Sequence, residues 1–332
     1  MIEPTSAAEF ADKKVLISGG LGFIGSNLAH RLAADGARLT LVDSLIPEYG
    51  GNLFNIAGIE DRVRVNISDV RDEHSLRYLV QGEDYLFNLA GQTSHLDSMH
   101  DPFTDLEINC HAQLSILETC RKYNPTIRVV FASTRQMYGK PDYLPVDEKH
   151  LLRPVDVNGI NKMAGEWYHI LYNNVYGIRA CALRLSNTYG PRMRVKDARQ
   201  TFLGVWLRLV AQGQPFEVWE GQQLRDFTYV DDVVEALLRC ALAENTNGQV
   251  FNLGGEQPFR LREVAELLRQ VSGGGEFTVK SFPADRKRID IGDYYCDWSR
   301  IREAVGWEPR VPLREGLTQT IAYYRQHLQR YL

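Results

Sequence analysis

Short apolar runs at residues 14–17, 39–42, 63–67, 85–89, 128–132 and 179–185 alternate with longer stretches in which apolar side chains recur every third or fourth position. Runs of about four to eight apolar residues between turn signals fit strands buried on both faces, whereas the 3.6-residue recurrence fits one face of a helix. The helical stretches fall at 28–34, 74–80, 108–123 and 162–173. This alternation predicts an α/β fold, a doubly wound parallel sheet with ligands at the carboxyl ends of its strands. Beyond Ser186 the pattern changes to helices at 201–212, 231–243, 261–272 and 313–332, with one short strand at 250–253. We therefore expect two domains, 1–185 and 186–332. The second is a smaller α/β unit closing over a cleft, and segment 227–243 is a candidate to return to the first.

The first strand runs into Gly19-Gly20-Leu21-Gly22-Phe23-Ile24-Gly25. In such a loop the first glycine permits a tight turn, the second admits a pyrophosphate against the backbone, and the third lets the next helix pack on the strand. The phosphates then meet the free N–H groups and the dipole of a helix N-terminus. Asp43 ends the second strand, about 20 residues on, where a carboxylate accepts hydrogen bonds from a ribose and repels a 2'-phosphate. The reading is a Rossmann domain for NAD rather than NADP, with Gly19, Gly22, Phe23, Ile24, Gly25 and Asp43 at the cofactor.

Composition narrows the partners. The chain has 332 residues, 44% hydrophobic and 24% charged, enough for substantial cores. A formal charge of -4 supplies no basic field for nucleic acid, and the one dense basic run is Arg286-Lys287-Arg288. Residues 1–14 show no apolar leader, and no stretch reaches the roughly 18 apolar residues of a membrane span. The expectation is a cytoplasmic protein without membrane or nucleic-acid partners. Five cysteines, scattered and without metal-ligand spacing, read as reduced, buried thiols, with no metal site.

Further motifs follow in order: Ser68-Asp69-Val70-Arg71-Asp72, Asn88-Leu89-Ala90-Gly91-Gln92, Phe131-Ala132-Ser133-Thr134, Asn187-Thr188-Tyr189-Gly190-Pro191-Arg192, Arg225-Asp226-Phe227-Thr228-Tyr229-Val230-Asp231-Asp232 and Gly306-Trp307-Glu308-Pro309. Over nearly its whole length the chain resembles extended short-chain dehydrogenase/reductases of the nucleotide-sugar epimerase/dehydratase family. The resemblance implies a tightly held NAD that oxidises a nucleotide-diphosphate sugar to a keto intermediate and usually returns the hydride. It places Asp69 and Val70 at the adenine, and Leu89, Ala90 and Gln92 along the pyrophosphate and ribose. Ser133 and Lys162 fall at the cofactor, Thr134 at the reacting sugar oxygen, and Asn187, Arg225 and Arg288 at the substrate phosphates. A guanidinium suits that last task because its planar fork bridges phosphate oxygens. The family also implies a homodimer joined through helices 108–123 and 162–173.

The catalytic motif departs from the family pattern. The family places Tyr-x-x-x-Lys on the helix after the fifth strand; here Asn158 precedes Lys162 by four residues. Both share one helix face, but an amide is no ordinary acid/base near neutral pH. Asn158 can at most orient a hydroxyl or a water. His95, after the fourth strand, is the leading candidate to move the proton, since an unperturbed imidazole titrates near 6.5. Asp97 and Tyr138 are further candidates. Arg135-Gln136 follows Thr134 where the family's dehydratases resemble Asp-Glu, which argues against elimination of water by that route. Epimerisation demands the fewest extra groups. Decarboxylation, dehydration or net oxidoreduction is the alternative, and a catalytically quiet NAD- and nucleotide-sugar-binding protein is the third.

Overall fold

The apolar runs of the first half assemble into one sheet in a computed structural model, which describes residues 5–199, 201–283 and 289–332. They form β1 (Lys14–Ser18), β2 (Arg38–Asp43), β3 (Val63–Ile67), β4 (Tyr85–Asn88), β5 (Arg128–Thr134) and β6 (Arg179–Leu185). Short strands follow: β7 (Asn187–Tyr189), β8 (Phe216–Trp219), β9 (Leu224–Arg225), β10 (Phe227–Tyr229) and β11 (Val250–Leu253). The main sheet has seven strands in the order β11-β6-β5-β4-β1-β2-β3, every neighbour parallel. Strand order reverses between β1 and β4, where the helices leave on opposite faces and open a crevice. β5 runs past its apolar stretch because Ser133 and Thr134 still pair with Arg184 and Leu185.

The helices of the first half are α1 (Phe23–Ala34), α2 (Glu73–Leu79), α3 (His95–His100), α4 (Pro102–Leu106), α5 (Ala112–Tyr123) and α6 (Val157–Tyr176). The helix expected at 108–123 is composite: α4 passes through a π-helical turn, Glu107–His111, into α5. α6 begins earlier than its apolar recurrence suggested, because Asp156 caps it by accepting from Gly159 N at 2.7 Å. Asn158 and Lys162 therefore lie in its first two turns.

Two large cores organise the rest. One packs β1, β2 and α1 against α8 (Val230–Leu242), with Ile301 and Trp307 from the far end of the chain. The other joins α7 (Phe202–Ala211), β8, α9 (Leu261–Ser272) and the helix Leu313–His327. The chain thus crosses back after Ser186, carrying α8 and β11 onto the main sheet. A smaller cluster of Tyr138, Val146, Ile291, Tyr294 and Cys296 fills the seam beside β5. No described helix is long and apolar enough to cross a membrane, and no described group of side chains has the makings of a metal site.

Candidate active site

The turn between β1 and α1 is shaped by backbone alone. Gly19 holds a left-handed φ of +70°, and a Cβ there would press on the Ala90 nitrogen at 2.9 Å. A Cβ on Gly25 would collide with the Gly19 carbonyl oxygen. Gly22 caps α1 without a side-chain bond and the first turn carries no acid, so its N–H groups and dipole stand open to an anion. Asp43 is held by Leu21 N at 3.1 Å and Leu45 N at 2.9 Å, while burial raises its pKa against those two bonds. Around these pieces lies a groove of about 130 Å³.

Gly19, Gly22, Phe23, Ile24, Gly25, Asp43, Asp69, Val70, Leu89 and Ala90 all line this groove. Gly19 and Gly25 leave no room for a Cβ at the turn, and a carboxylate stands near one wall; these residues fit a dinucleotide. Asp69 is gripped by Arg71, whose Nε and Nη2 donate to it at 2.9 and 2.6 Å, which holds its pKa down. Tyr49, Thr93 and Ile108 line the groove as well and were missed, since they arrive on loops and a helix without a motif.

Two expected cofactor residues turn elsewhere. Gln92 is buried behind the groove, its Nε2 donating to Ser94 O at 2.9 Å. Ser133 donates its hydroxyl to Glu166 at 2.7 Å, and Glu166 in turn pairs with Arg184. Arg184 Nη1 donates to Tyr138 OH at 2.6 Å, and Tyr138 donates to Asn252 Oδ1 at 2.7 Å. Ser133 and Tyr138 are consumed by this buried chain, in which burial also raises the Tyr138 pKa. Tyr138 is therefore no proton carrier for the site.

Lys162 is fully buried against the groove's inner wall. Its Nζ lies 3.4 Å from Ala132 O and 5.1 Å from the Phe131 ring centroid. A Cβ on Gly91, which lines the groove, would stand 2.6 Å from that Nζ, so the missing side chain is what brings the ammonium to the wall. Burial pushes Lys162 down to about 8, opposed by the Asp105 carboxylate.

Asp105 also explains Asn158. The Asn158 Nδ2 lies 2.8 Å from Gln92 O and 3.0 Å from Asp105 Oδ2, and Asn161 Nδ2 donates to Asp105 Oδ1 at 2.8 Å. Asn109, from the π-helical turn, donates to the same two acceptors at 3.0 Å. The expectation placed Asn158 near a reacting hydroxyl or water; in this fold its Nδ2 is engaged by the protein. Its amide is a strut inside the protein, and it lines neither the groove nor the cavity described next.

That cavity, about 760 Å³, opens beyond the ends of β5 and β6. His95, the first residue of α3, is on its wall with Nδ1 3.0 Å from Asp156 Oδ2, close enough for an ion pair but out of line for a hydrogen bond. Burial acts to raise the Asp156 carboxyl, but His95, Gly159 N–H and Gln136 outweigh it and hold the group below its usual value. Asp97 lines the same wall, paired with Arg199 at 2.9 Å. Asn187 donates to Asp226 O at 2.9 Å and accepts from Arg135 at 3.1 Å. Arg225 pairs with Asp290 at 3.2 Å and donates to the Gly292 carbonyl; burial, then the neighbouring Arg135, pushes it down to about 10.

Thr134 ends β5, between the ends of β4 and β6, where its Oγ1 accepts from Gln136 N at 3.2 Å. Arg288 lies outside the described residues. Aromatic side chains of α7 and β8, among them Trp206 and Trp219, form the cavity's far wall.

The sequence pattern of the NAD dependent epimerase/dehydratase family matches residues 15–254. The chain belongs to this family. Its relatives include a UDP-glucuronic acid decarboxylase of Xenopus tropicalis, 31% identical over 96% of this chain and 73% of that protein. A UDP-glucose 4-epimerase of Mycolicibacterium smegmatis is 29% identical over 95% of this chain and all of its own length. The crystal structure of a UDP-glucose 4-epimerase with UDP-glucose from Thermotoga maritima superposes with a TM-score of 0.86, at 28% identity, covering 95% of this chain and 99% of that one. Membership makes this chain an enzyme of the NAD-dependent epimerase/dehydratase type, with the seven-stranded parallel sheet of that family.

Proposed function

We propose that this enzyme is a nucleotide-sugar epimerase that uses NAD, passes through a transient keto sugar and moves its proton by an atypical relay. The observation that carries the reading is the placement of two ionisable centres: Lys162 behind the groove wall, and His95 on the cavity wall with the buried Asp156 beside it. Bound NAD would supply reversible hydride acceptance. The glycine turn, Asp43, Asp69 and Ala90 would hold it, with Lys162 reaching its ribose past Gly91. Asn187 and Arg225 would take the substrate's diphosphate, and Thr134 Oγ1 would position the reacting sugar hydroxyl.

His95 replaces the missing phenol in this scheme. The Asp156 carboxylate, 3.0 Å from Nδ1, would favour a proton on that side of the ring and leave Nε2 to accept the sugar hydroxyl proton. His95 would then return the proton to the same sugar oxygen, and with NAD supplying reversible hydride transfer the product would be an isomer with no net redox change. Arg135 and Gln136 after Thr134 give elimination of water no acid there, which favours epimerisation over dehydration. Decarboxylation stands second, supported by Arg135 and by decarboxylases among the relatives.

The exposed apolar face of α6 supports a homodimer. Ile160, Trp167, Leu171 and Val175, spaced seven, four and four residues apart, share one helical face and are about half exposed. A cytoplasmic location belongs to the same reading, which rests on Cys120, Cys181, Cys240 and Cys296, all buried and unpaired.

Incubating the protein with NAD and a panel of nucleotide sugars, then analysing products and reduced-cofactor absorbance, tests the proposal. Isomeric products without accumulated NADH are expected. Loss of carbon dioxide or water would move the enzyme to the second reading, and binding without turnover would make it a quiet binding protein.

A further inference from the structure

Asn55 is fully buried with every polar atom engaged, and its partners come from opposite ends of the chain. It sits in the short helical turn Leu53–Ile56, between β2 and β3. Its Nδ2 donates to Leu21 O at 2.9 Å, inside the glycine turn, and Asn52 N donates to the same carbonyl at 3.0 Å. Its Oδ1 accepts from Tyr331 OH at 2.7 Å. The Asn55 carbonyl accepts from Arg192 Nε at 3.1 Å, and its N–H donates to Asn52 O at 3.0 Å.

Both distant partners are themselves fixed. Tyr331 follows the helix Leu313–His327, meets the Tyr323 hydroxyl and lays its ring edge-on to Phe54, with centroids 6.0 Å apart. Arg192 holds a left-handed φ of +71°, a costly backbone for a residue with a Cβ. From there its Nη1 donates to Asn27 Oδ1 at 2.9 Å, while Asn27 Nδ2 donates to Phe23 O at 2.8 Å in the first turn of α1. Two segments from beyond Ser186 thus end on the frame of the glycine turn.

Leu21 is buried and lies outside the groove, but Gly22 beside it is part of the lining. A peptide unit is planar, so holding the Leu21 carbonyl also sets the direction of the Gly22 N–H. A carbonyl free to turn would bring its negative end toward the place where the helix N-terminus favours an anion. We infer that Asn55 is a positioning residue for the cofactor: it keeps the glycine turn in its anion-receiving shape, and Tyr331 and Arg192 make the far half of the chain part of that hold. This rests on the reading that NAD occupies the groove and extends it to residues that never touch the dinucleotide.

The test is calorimetric titration with NAD, beside thermal melts by circular dichroism, for the native chain, Asn55→Ala, Tyr331→Phe and Tyr324→Phe. Tyr324→Phe is the matched control, since it removes a buried hydroxyl from the adjoining helix that donates to Met193 O and not to Asn55. Tyr331→Phe should weaken NAD by about 3- to 10-fold and Asn55→Ala by about 10- to 100-fold, the scale of one or two buried hydrogen bonds. Tyr324→Phe should lower the melting temperature comparably and shift NAD affinity less than about 2-fold. Retained NAD affinity in either Asn55→Ala or Tyr331→Phe overturns the inference and leaves the cofactor reading standing. A loss in Tyr324→Phe as large as in Tyr331→Phe also overturns it, because general loosening of the helix would then suffice. Should Asn55→Ala fail to fold, the two tyrosine variants decide. No NAD affinity in the native chain removes the reading of the groove and this inference together.

Discussion

The groove at the β1–α1 turn and the cavity beyond β5 adjoin the same sheet, yet they are built differently. The groove is made of backbone: three glycines without side chains, an uncapped helix end, and one carboxylate pinned by two N–H groups. The cavity is made of side chains delivered from α3, the β5 end, the stretch after β6, α7, β9 and the residues around Asp290. A backbone site tolerates almost no change in shape but is indifferent to most neighbours. A side-chain site can be re-equipped one residue at a time.

The largest effect should come from the frame between the two regions. Glu166→Ala would strand the Arg184 guanidinium among Ser133, Tyr138 and Asn252, costing about 3–5 kcal/mol in a denaturant melt. A loss below about 1 kcal/mol would show that the buried chain does not hold the seam.

On the cavity side, His95→Gln should lower kcat by about 100- to 1000-fold with KM nearly unchanged, the scale of general acid/base catalysis. Asp156→Asn should lower it less and alter the pH profile, because its carboxylate positions the imidazole. Unaltered kcat in His95→Gln would place the proton elsewhere. On the groove side, Gly25→Ala would set a methyl group against the Gly19 carbonyl and cost about 1–3 kcal/mol of stability, with NAD affinity falling in parallel by calorimetry. Retained affinity would mean that the turn can yield, against the contrast drawn here.

Asn158→Ala should cost about 1–2 kcal/mol, since Gln92 O and Asp105 each lose a donor, yet change kcat only a few-fold. A kcat loss as large as that of His95→Gln would return Asn158 to the reacting atoms. The smallest effect is electrostatic. Lys162 titrates near 8 in the fold, below an unfolded lysine, so stability should rise with pH between about 8 and 10.5 as the unfolded chain binds the extra proton. Asp105→Asn removes the charge that favours the ammonium and should move the Lys162 midpoint lower still, as read by NMR of its Nζ. A midpoint moving upward would contradict the assigned cause.

Much of the groove was legible before any coordinates. Gly19 to Gly25, Asp43, Asp69, Val70, Leu89 and Ala90 stand within or just after predicted strands, where a local pattern reports on local backbone. The Gln92 and Ser133 side chains turn to Ser94 O and Glu166 rather than line the groove, because which way a side chain points after a strand end depends on such partners. Arg288 lies among residues the structure does not describe. Asn158 was visible as an anomaly, but its role as a strut follows from Asp105 and Asn109, far away in sequence and gathered by the π-helical turn.

What the amino-acid order settled is therefore the alternating α/β frame and its glycine turn, since strand periodicity, capping and the room left by a missing Cβ act over a few neighbouring residues. The pairing of His95 with Asp156 and the burial of Lys162 behind Gly91 belong to the folded molecule alone. Each depends on distances and desolvation between segments tens of residues apart, and those quantities come into being only when the cores close.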